Sequence, residues 1–373
     1  MTVSKVPLLD LNAQYDPIKD KVLQAIQEVF ESKQFILGPQ VAKLEQAVAD
    51  YAGCIYAIGV TSGTDALIVS LMALDIGPGD EVITTPFTFF ATAGSICRVG
   101  AVPVFVDIDP KTYNINPELI EEKVTKKTKA IMPVHLFGQT ADMEAINSIA
   151  GKYNLAVVED AAQAIGSSYT TADSEIKAGA AGDLGCFSFF PSKNLGCCGD
   201  GGMVTTSNKD LAYRVRILRT HGAHPKYYHK IIGGNFRLDS IQAAVLLEKL
   251  PYLEQQHKGR QAVADFYDEQ LAGIVQTPLV NDNYRMIYNQ YTIRTPERDA
   301  LQEFLNKNNI GNAIYYPVPL HLQECFQHLG YKEGDLPESE KAAKEVLSIP
   351  VYAELTSEQQ EYVAGKIGEY FGK

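Results

Sequence analysis

The sequence lacks a basic character. Of its 373 residues, 33 are Lys or Arg and 45 are Asp or Glu, so the formal net charge is −12. Nucleic acids and anionic membrane surfaces attract proteins through basic patches. We therefore expect neither as a partner, and an anionic substrate would need a local basic site.

The sequence also lacks a cysteine pattern typical of metal sites or disulfides. Its six cysteines stand at positions 54, 97, 186, 197, 198 and 325. None forms a C-x-x-C pair and the spacing suits no zinc site, so we expect no metal. Free thiols are typical of a reducing cytosol.

Long apolar runs and an apolar N-terminal core are missing as well. Neither a bilayer-spanning helix nor a secretory signal is therefore expected. The sequence predicts a cytoplasmic protein, and its length predicts roughly two domains.

Short apolar runs alternate with helical patterns over the first part of the chain. Strands are predicted at residues 55–60, 81–85, 102–108, 130–135 and 155–159, and helices at 14–32, 41–51, 65–74, 88–99, 117–126 and 143–153. This alternation indicates βαβ units and a mainly parallel sheet flanked by helices. In such sheets ligands bind beyond the carboxyl ends of the strands.

Helical patterns dominate beyond residue 208. Long helices are predicted at residues 237–250 and 252–271, followed by a strand at 288–294 and a helix at 299–308. We place a boundary near residue 245, which gives a large domain over 1–245 and a small C-terminal α+β domain over 246–373.

Lys193 lies in a segment of aromatic residues and glycines, F-S-F-F-P-S-K-N-L-G-C-C-G-D-G-G. Burial disfavours a charged ammonium, and a neutral amine is a nucleophile towards carbonyls. Lys193 is therefore a candidate Schiff-base lysine, with an ordinary solvated loop lysine as the alternative.

Three further candidate sites lie where predicted strands end. The turn T-S-G-T at residues 61–64 combines Gly63 and Thr64 with a helix N-terminus, which favours an anion. Glu159 and Asp160 end an apolar strand, where a carboxylate is suited to pair with a protonated ring nitrogen, and P-F-T-F-F at 86–90 offers aromatic faces. The alternatives are helix N-caps for the polar residues and core packing for the aromatic ones.

These four sites together provide the parts that pyridoxal phosphate needs: a phosphate turn, a stacking ring, an acid and a lysine. Long motifs in the same order resemble the sugar-nucleotide aminotransferase (DegT/StrS) family of fold type I pyridoxal-phosphate enzymes. They include T-S-G-T-D-A-L, G-P-G-D-E-V-I-T-T-P-F-T-F-F-A-T, V-E-D-A-A-Q, S-F-F-P-S-K-N-L-G, G-G-N-F-R-L-D-S-I-Q-A-A and Y-Y-P-V-P-L-H. The resemblance covers nearly the whole chain.

The resemblance implies a role for each matching residue. Lys193 would bond the cofactor and shuttle a proton, and Asp160 would hold the pyridine nitrogen protonated. The other implied cofactor contacts are Gly63, Thr64 and Ser188 at the phosphate, Phe89 on the ring face, Gln163 at the ring hydroxyl, and Asn235 reaching the phosphate from the neighbouring subunit. The resemblance thus implies a homodimer with shared active sites.

The implied reaction cycles the cofactor between its pyridoxal and pyridoxamine phosphate forms. Glutamate would donate the amino group and leave as 2-oxoglutarate, and a nucleotide-linked keto sugar would accept it. Candidate substrate contacts are His221, Tyr228, His229, Arg237, Tyr315, Tyr316 and His321. The segment at 214–230 is basic, although its arginines at 214, 216 and 219 also suit a solvated helix face.

The motifs around residues 221–239 resemble the branch that aminates C3 of a 3-keto sugar linked to UDP or dTDP. Members acting on uronates often carry His-Tyr where this chain has Tyr315-Tyr316. A C4 aminotransferase acting on a 4-keto-6-deoxy sugar is the alternative.

Other classes remain as rivals. A sugar dehydratase of this fold would carry histidine in place of Lys193. A non-catalytic sensor would not need the intact set of Lys193, Asp160 and Gln163. An enzyme for free amino acids would need a small-domain arginine, for which the candidates are at positions 285, 294 and 298.

Overall fold

The computed structural model describes residues 5–373. The strands are β1 (Tyr56–Val60), β2 (Glu81–Thr84), β3 (Val102–Phe105), β4 (Thr128–Met132), β5 (Ala156–Asp160), β6 (Ser168–Thr170), β7 (Glu175–Lys177), β8 (Leu184–Ser188), β9 (Gly202–Thr206), β10 (Tyr284–Arg285), β11 (Tyr291–Arg294) and β12 (Val346–Ile349). The α-helices are α1 (Leu11–Tyr15), α2 (Lys19–Ser32), α3 (Pro39–Ala52), α4 (Gly63–Ala73), α5 (Ala91–Arg98), α6 (Met143–Tyr153), α7 (Lys209–Leu218), α8 (Ser240–Lys249), α9 (Leu253–Gln270), α10 (Arg298–Lys307), α11 (Pro337–Glu345) and α12 (Ser357–Tyr370).

A seven-stranded sheet forms the centre of the large domain, in the order β1-β9-β8-β5-β4-β2-β3. The strands from β8 to β3 pair in parallel, and β9 runs antiparallel to both β1 and β8. Strands such as β4 and β5 are buried almost throughout, because helices cover both faces. The predicted mainly parallel sheet is confirmed.

Local sequence sets several helix boundaries. The predicted helix at 143–153 is confirmed as α6: Asp142 caps its first turn by accepting from the Ala145 N–H, and Asn154 ends it in the left-handed conformation. The predicted helix at 117–126 is wrong, since only two 3-10 turns form there. The Thr125 N–H donates to the Thr128 hydroxyl instead of a helical carbonyl, and the chain then extends into β4.

The C-terminal part packs around Tyr267, Tyr291 and Leu301, beside the antiparallel pair of β11 and β12, in a core that continues to Phe87 and Phe137 of the large domain. Val6 is buried in this core and bridges to Ile310, so an N-terminal segment joins the C-terminal domain. Helix α8 spans the predicted boundary near residue 245 and packs against α2 and α3. The division at 245 stays a prediction.

Among residues 5–373, no helix combines the length and apolar character needed to cross a membrane. In the same range, no cluster of three or more His, Cys, Asp or Glu side chains is placed to hold a metal ion. The expectation that the protein needs no metal stays a prediction.

Candidate active site

Candidate residues converge at one edge of the large sheet. Strands β1, β8 and β5 end at Val60, Ser188 and Asp160, and Lys193 follows β8 after a short turn. Because these strands run in the same direction within one sheet, their carboxyl ends meet at the same edge. The fold therefore brings the predicted phosphate turn, acid and lysine together.

Helix α4 starts at this edge with Gly63. The Ser62 hydroxyl caps the helix by accepting from the Asp65 N–H at 3.0 Å. A Cβ on Gly63 would lie 2.7 Å from the Cβ of Ser188, so only glycine lets Ser188 sit beside the helix N-terminus. Thr64, the next residue, is exposed. The arrangement suits a phosphate, since a helix N-terminus attracts anions.

Asp160 is only 5% exposed at the end of β5. The Thr92 hydroxyl donates to one carboxylate oxygen at 2.7 Å, and the Ala162 N–H donates to the other at 3.3 Å. Burial raises the pKa of Asp160, against the hydrogen bonds and the positive charge of Lys193, which favour the ionised form. A buried carboxylate of this kind gains from a cationic partner such as a pyridinium.

Lys193 occupies a tight turn in which its backbone N–H donates to the backbone carbonyl of Phe190 at 2.9 Å. Burial lowers the pKa of its side chain to about 8, and the negative charge of Asp160 opposes this shift. A lysine amine with such a pKa is partly neutral near physiological pH and therefore nucleophilic.

Gln163 connects the cofactor edge to the predicted substrate residues. Its Oε1 accepts from the Phe137 N–H at 2.8 Å, and its Nε2 donates to the Tyr316 hydroxyl at 3.1 Å. The Tyr316 ring lies 5.7 Å from Tyr315 and 6.2 Å from Phe89, measured between centroids. The Phe89 ring is 56% exposed, so it has surface available for stacking.

A buried pair supports Asp160 from behind. His135 and Glu159 are fully buried and 2.8 Å apart, and the Ala141 N–H donates to His135 Nδ1. Three backbone N–H groups, from Gly179, Ala181 and Gly182, also donate to Glu159. These hydrogen bonds fix the ends of β4 and β5 relative to each other. The backbone N–H of His135 also donates to the backbone carbonyl of Asp160 at 3.0 Å.

The structure does not bring the loop residues into this group. His221, Tyr228, His229 and Asn235 are exposed, and His229 Nδ1 bonds the His221 carbonyl at 2.8 Å. His321 is fully buried, with Nε2 3.1 Å from Glu340. A substrate contact for each of the three histidines and Tyr228, and a cofactor contact for Asn235, stay predictions.

The arginines in the first part of the predicted basic segment contact other side chains of the chain itself. Arg219 is buried and paired with Glu45, Arg214 pairs with Asp75, and Arg216 lies over the Tyr56 ring. Each of the three arginines at 285, 294 and 298 is likewise paired with a carboxylate. Five of these six guanidinium groups are thus paired with a carboxylate of the chain, whereas Arg216 is exposed and lies over the Tyr56 ring.

Two features of the site escaped the sequence analysis. Thr92 holds Asp160 from α5, and only its place in the motif P-F-T-F-F-A-T hinted at a role. The hydrogen bond between Gln163 and Tyr316 joins residues 153 positions apart, which no local pattern predicts.

The geometry fits pyridoxal phosphate. Asp160 would hold the ring nitrogen, Lys193 would bond the aldehyde carbon, and the α4 N-terminus with Ser188 would hold the phosphate. The close approach of Gly63 to Ser188 is the strongest sign of a cradle, because any larger residue at position 63 would collide with Ser188 and displace it from the helix N-terminus.

Comparison with known proteins gives the same class. The chain belongs to the DegT/DnrJ/EryC1/StrS aminotransferase family, whose model matches residues 16–368. It is 52% identical over 98% of both chains to a pleiotropic regulatory protein of Geobacillus stearothermophilus. It is 44% identical over 95% of both chains to UDP-N-acetyl-3-dehydro-alpha-D-glucosamine 3-aminotransferase of Acidithiobacillus ferrooxidans.

A solved structure agrees with these relatives. The chain superposes on S. venezuelae DesV in complex with a ketimine intermediate, with a TM-score of 0.96, 38% identity and full coverage of both chains. The predicted family, fold type, aminotransferase activity and pyridoxal-phosphate cofactor are confirmed.

Proposed function

We propose that this protein transfers the amino group of glutamate to C3 of a 3-keto hexose carried on a nucleoside diphosphate, and that the hexose has no carboxylate at C6. The observation that carries the transfer chemistry is that buried Asp160 lies close enough to Lys193 for their charges to interact, while burial lowers the pKa of Lys193 to about 8.

The chain's own residues divide the work. Bound pyridoxal phosphate supplies an electron sink for the charge that develops at the reacting carbon. Asp160 would keep a proton on the ring nitrogen of the cofactor, and the Lys193 amine would take the proton from the α-carbon of the donor. Because the same amine would serve the donor α-carbon and the cofactor carbon that exchange the proton, the transfer would need no second molecule.

The choice of a 3-keto sugar rests on the Acidithiobacillus relative, which is named as a 3-aminotransferase. The absence of a C6 carboxylate rests on Arg237. This arginine lines a cavity of about 300 Å³ together with Asp65, Asp200 and Asp239, so the cavity contains three acidic residues and one basic one. A uronate placed there would meet more negative charge than positive.

A substrate panel tests the proposal. Purified enzyme is supplied with glutamate and, in turn, a UDP-linked neutral 3-keto sugar, its uronate counterpart, a dTDP-linked 3-keto-6-deoxy sugar and a 4-keto sugar. We expect amination of at least one neutral 3-keto compound, with kcat/KM at least about tenfold above the uronate and the 4-keto sugar. Exclusive amination of the 4-keto sugar, or preference for the uronate, would contradict it.

We also propose a homodimer with shared active sites. Several apolar side chains flanking the segment 235–239 are exposed: Phe35, Ile36, Leu37 and Ile232. Ile36 bridges directly to Asp239, so this apolar surface lies beside Asn235. Exposed apolar patches of this kind mark interaction sites, and a second copy would place its Asn235 in the neighbouring site.

Mixing two inactive variants tests the shared site. A hybrid of Lys193→Ala and Asn235→Ala subunits would contain one site with both residues intact. We expect the mixture, after reassociation, to regain activity up to roughly a quarter of the wild-type value, as random pairing predicts. A mixture no more active than the sum of its parents would refute sharing, and light scattering would show whether a dimer exists.

We place the protein in the cytoplasm, because its six cysteines are free. A non-catalytic sensor is the second candidate, since the Geobacillus relative is named a regulatory protein. Absorbance spectra of the purified protein with glutamate separate the two. An enzyme binds the cofactor and loses its visible band when glutamate is added, whereas a protein that stays colourless with pyridoxal phosphate would not be an aminotransferase.

A further inference from the structure

The segment at residues 286–290, between β10 and β11, contacts two parts of the cofactor edge. It is anchored on its other side by helix α9. Arg260 Nη1 donates to the Tyr288 carbonyl at 2.9 Å, and Gln261 Nε2 donates to the Met286 carbonyl at 2.8 Å. The segment is buried at residues 286–289. It therefore forms a fixed connection between the C-terminal part of the chain and the cofactor edge.

The first contact reaches the turn that carries Lys193. Asn289 Nδ2 donates to Oδ1 of Asn194, the residue after Lys193, at 2.6 Å. Asn194 Nδ2 donates in turn to the backbone carbonyl of Ile287 at 3.2 Å. Asn194 is 3% exposed and Asn289 is 8% exposed. Both ends of the Asn194 amide are thus held by one segment, and loss of the Asn289 amide would leave a buried acceptor without its donor.

The second contact reaches the loop that follows β4. The backbone N–H groups of Ile287 and Asn289 donate to the carbonyls of Gly138 at 3.0 Å and Phe137 at 2.9 Å. A Cβ on Gly138 would lie 2.9 Å from the backbone nitrogen of Asn289, so a larger residue would push the two segments apart. The Phe137 N–H donates to Gln163 Oε1 at 2.8 Å. The same segment therefore supports Gln163 as well.

The backbone at this contact is held in an unfavourable conformation. Phe137 has a φ of 59° and Tyr288 has a φ of 47°, both in the left-handed region that residues other than glycine seldom adopt. Such conformations persist where the surrounding contacts determine them, and they occur often at functional sites. The hydrogen bonds on both sides of Phe137 and Tyr288 supply those contacts.

We infer that Asn289 is a positioning residue for the transfer reaction, which acts through Asn194 to fix the turn that presents Lys193 to the cofactor. The inference rests on the proposed role of Lys193 and is independent of the identity of the sugar. Proton transfer depends steeply on geometry, and a displacement of about 1 Å can cost about 100-fold in rate. A buried hydrogen bond beside the lysine is therefore placed to affect the reaction without touching the cofactor or the substrate.

Three variants and a control test the inference. Asn289→Ala removes the donor to Asn194 and keeps the backbone hydrogen bond of residue 289. Asn194→Ala and the double variant complete a cycle. The matched control is Thr292→Val, which removes a buried hydroxyl contact with Ser348 of 2.8 Å in the same part of the chain. A general loss of stability in the C-terminal part would appear in the control as well.

The first measurement is hydrogen–deuterium exchange of the purified protein without any substrate, read by mass spectrometry over residues 189–197. Two backbone hydrogen bonds report on this turn, from Lys193 to Phe190 and from Cys197 to Phe189. We expect exchange at least about fivefold faster in Asn289→Ala and Asn194→Ala, and unchanged in Thr292→Val. Equal exchange in all four variants and the wild type would overturn the inference.

The second measurement is the glutamate half-reaction, followed by the loss of visible absorbance without sugar. We expect the maximal rate of Asn289→Ala to fall about tenfold at an unchanged half-saturating glutamate concentration, with Thr292→Val at the wild-type values. The double variant should be no slower than the slower single variant, because one residue acts through the other.

The half-reaction has two contradicting outcomes. A loss of rate in Thr292→Val equal to that in Asn289→Ala would reduce the effect to general destabilisation. A changed half-saturating concentration at an unchanged maximal rate would also overturn the positioning role. A wild type that does not react with glutamate would instead refute the proposed donor, and the exchange measurement would still decide whether Asn289 holds the lysine turn.

Discussion

The cofactor edge of the large sheet and the loop at residues 220–234 are built in opposite ways. At the cofactor edge, candidate groups have partners within the same chain: Thr92 for Asp160, Tyr316 for Gln163. On the loop, Tyr227 and Tyr228 are 78% and 70% exposed, and Ile232 is 90% exposed. The loop's hydrogen bonds are mainly between its own backbone groups.

This difference separates chemistry from recognition. Buried groups held by the core are positioned before any ligand arrives, so their contribution to the transition state needs no reorganisation. Exposed loop side chains gain contacts only when a substrate or a second subunit covers them. We therefore expect changes at the cofactor edge to lower kcat and changes on the loop to raise KM.

The largest effect is expected for Lys193→Ala, which removes the proton-transferring amine. Activity should fall by about 10,000-fold, because general acid–base catalysis is worth up to that factor and the variant also loses the amine that would bond the cofactor. Steady-state kinetics of sugar amination measure the loss. The matched control is Lys226→Ala on the exposed loop, for which we expect an unchanged kcat. If both lysine variants lost kcat equally, the contrast between the two regions would fail.

Asp160→Asn should have the next largest effect on activity. The neutral amide cannot stabilise a protonated ring nitrogen, so kcat should fall by about 100- to 1,000-fold. The negative charge of Asp160 also raises the pKa of Lys193, against the effect of burial, which leaves it at about 8. In the variant this pKa should fall further.

The sign of that pH effect follows from the neutral amine being the reactive form. In the cofactor-free wild type, the rate of cofactor binding should rise as pH increases through about 8. In Asp160→Asn the midpoint should move to lower pH, because the charged form of Lys193 loses the stabilising negative charge of Asp160. Stopped-flow absorbance across the pH range measures both midpoints, and a shift to higher pH would contradict the assigned pairing of Asp160 with Lys193.

Local sequence patterns predicted the fold and part of the cofactor edge, but they did not predict contacts between distant residues. Alternating apolar runs and helical patterns predicted the parallel sheet, and the ends of its strands located Asp160 and Lys193. Local composition failed at residues 117–126, where hydrogen bonding by Thr125 prevents a helix. The resemblance motifs located Gln163 and Tyr316 separately, but only the fold shows that they bond.

Contacts between residues far apart in the sequence also decide which charged side chains are available to a ligand. Arg219 lies in the basic segment and is the type of residue that binds phosphate. In the fold, however, it is buried against Glu45, 174 positions away. Arg260 is also buried, but among residues 5–373 its guanidinium donates to the carbonyls of Tyr288 and Val351 and forms no ion pair. Sequence patterns identify the type of a charged side chain, whereas its partner depends on tertiary structure.

Thr92→Val should give a moderate loss within the cofactor edge. It removes the hydroxyl that donates to Asp160 at 2.7 Å while keeping the shape of the side chain. A hydrogen bond to a charged group is worth about 1.5–3 kcal/mol, so we expect kcat to fall by about 10- to 150-fold. Thr88→Val is the control, since its hydroxyl bonds Thr92 and not the carboxylate. A larger loss in Thr88→Val than in Thr92→Val would contradict the assignment.

Tyr228→Ala should have the smallest effect and tests the loop directly. The tyrosine ring is 70% exposed, so its removal should leave the fold and kcat unchanged. Aromatic contacts contribute about 0.5–1.5 kcal/mol, so the KM for the sugar nucleotide should rise by about twofold to tenfold while the glutamate half-reaction keeps its rate. The nucleotide-free half-reaction and the complete reaction, measured on the same preparation, separate these effects. A variant that slowed the glutamate half-reaction would show that the loop takes part in building the cofactor site, and the division between a prebuilt chemical region and a ligand-dependent recognition region would not hold.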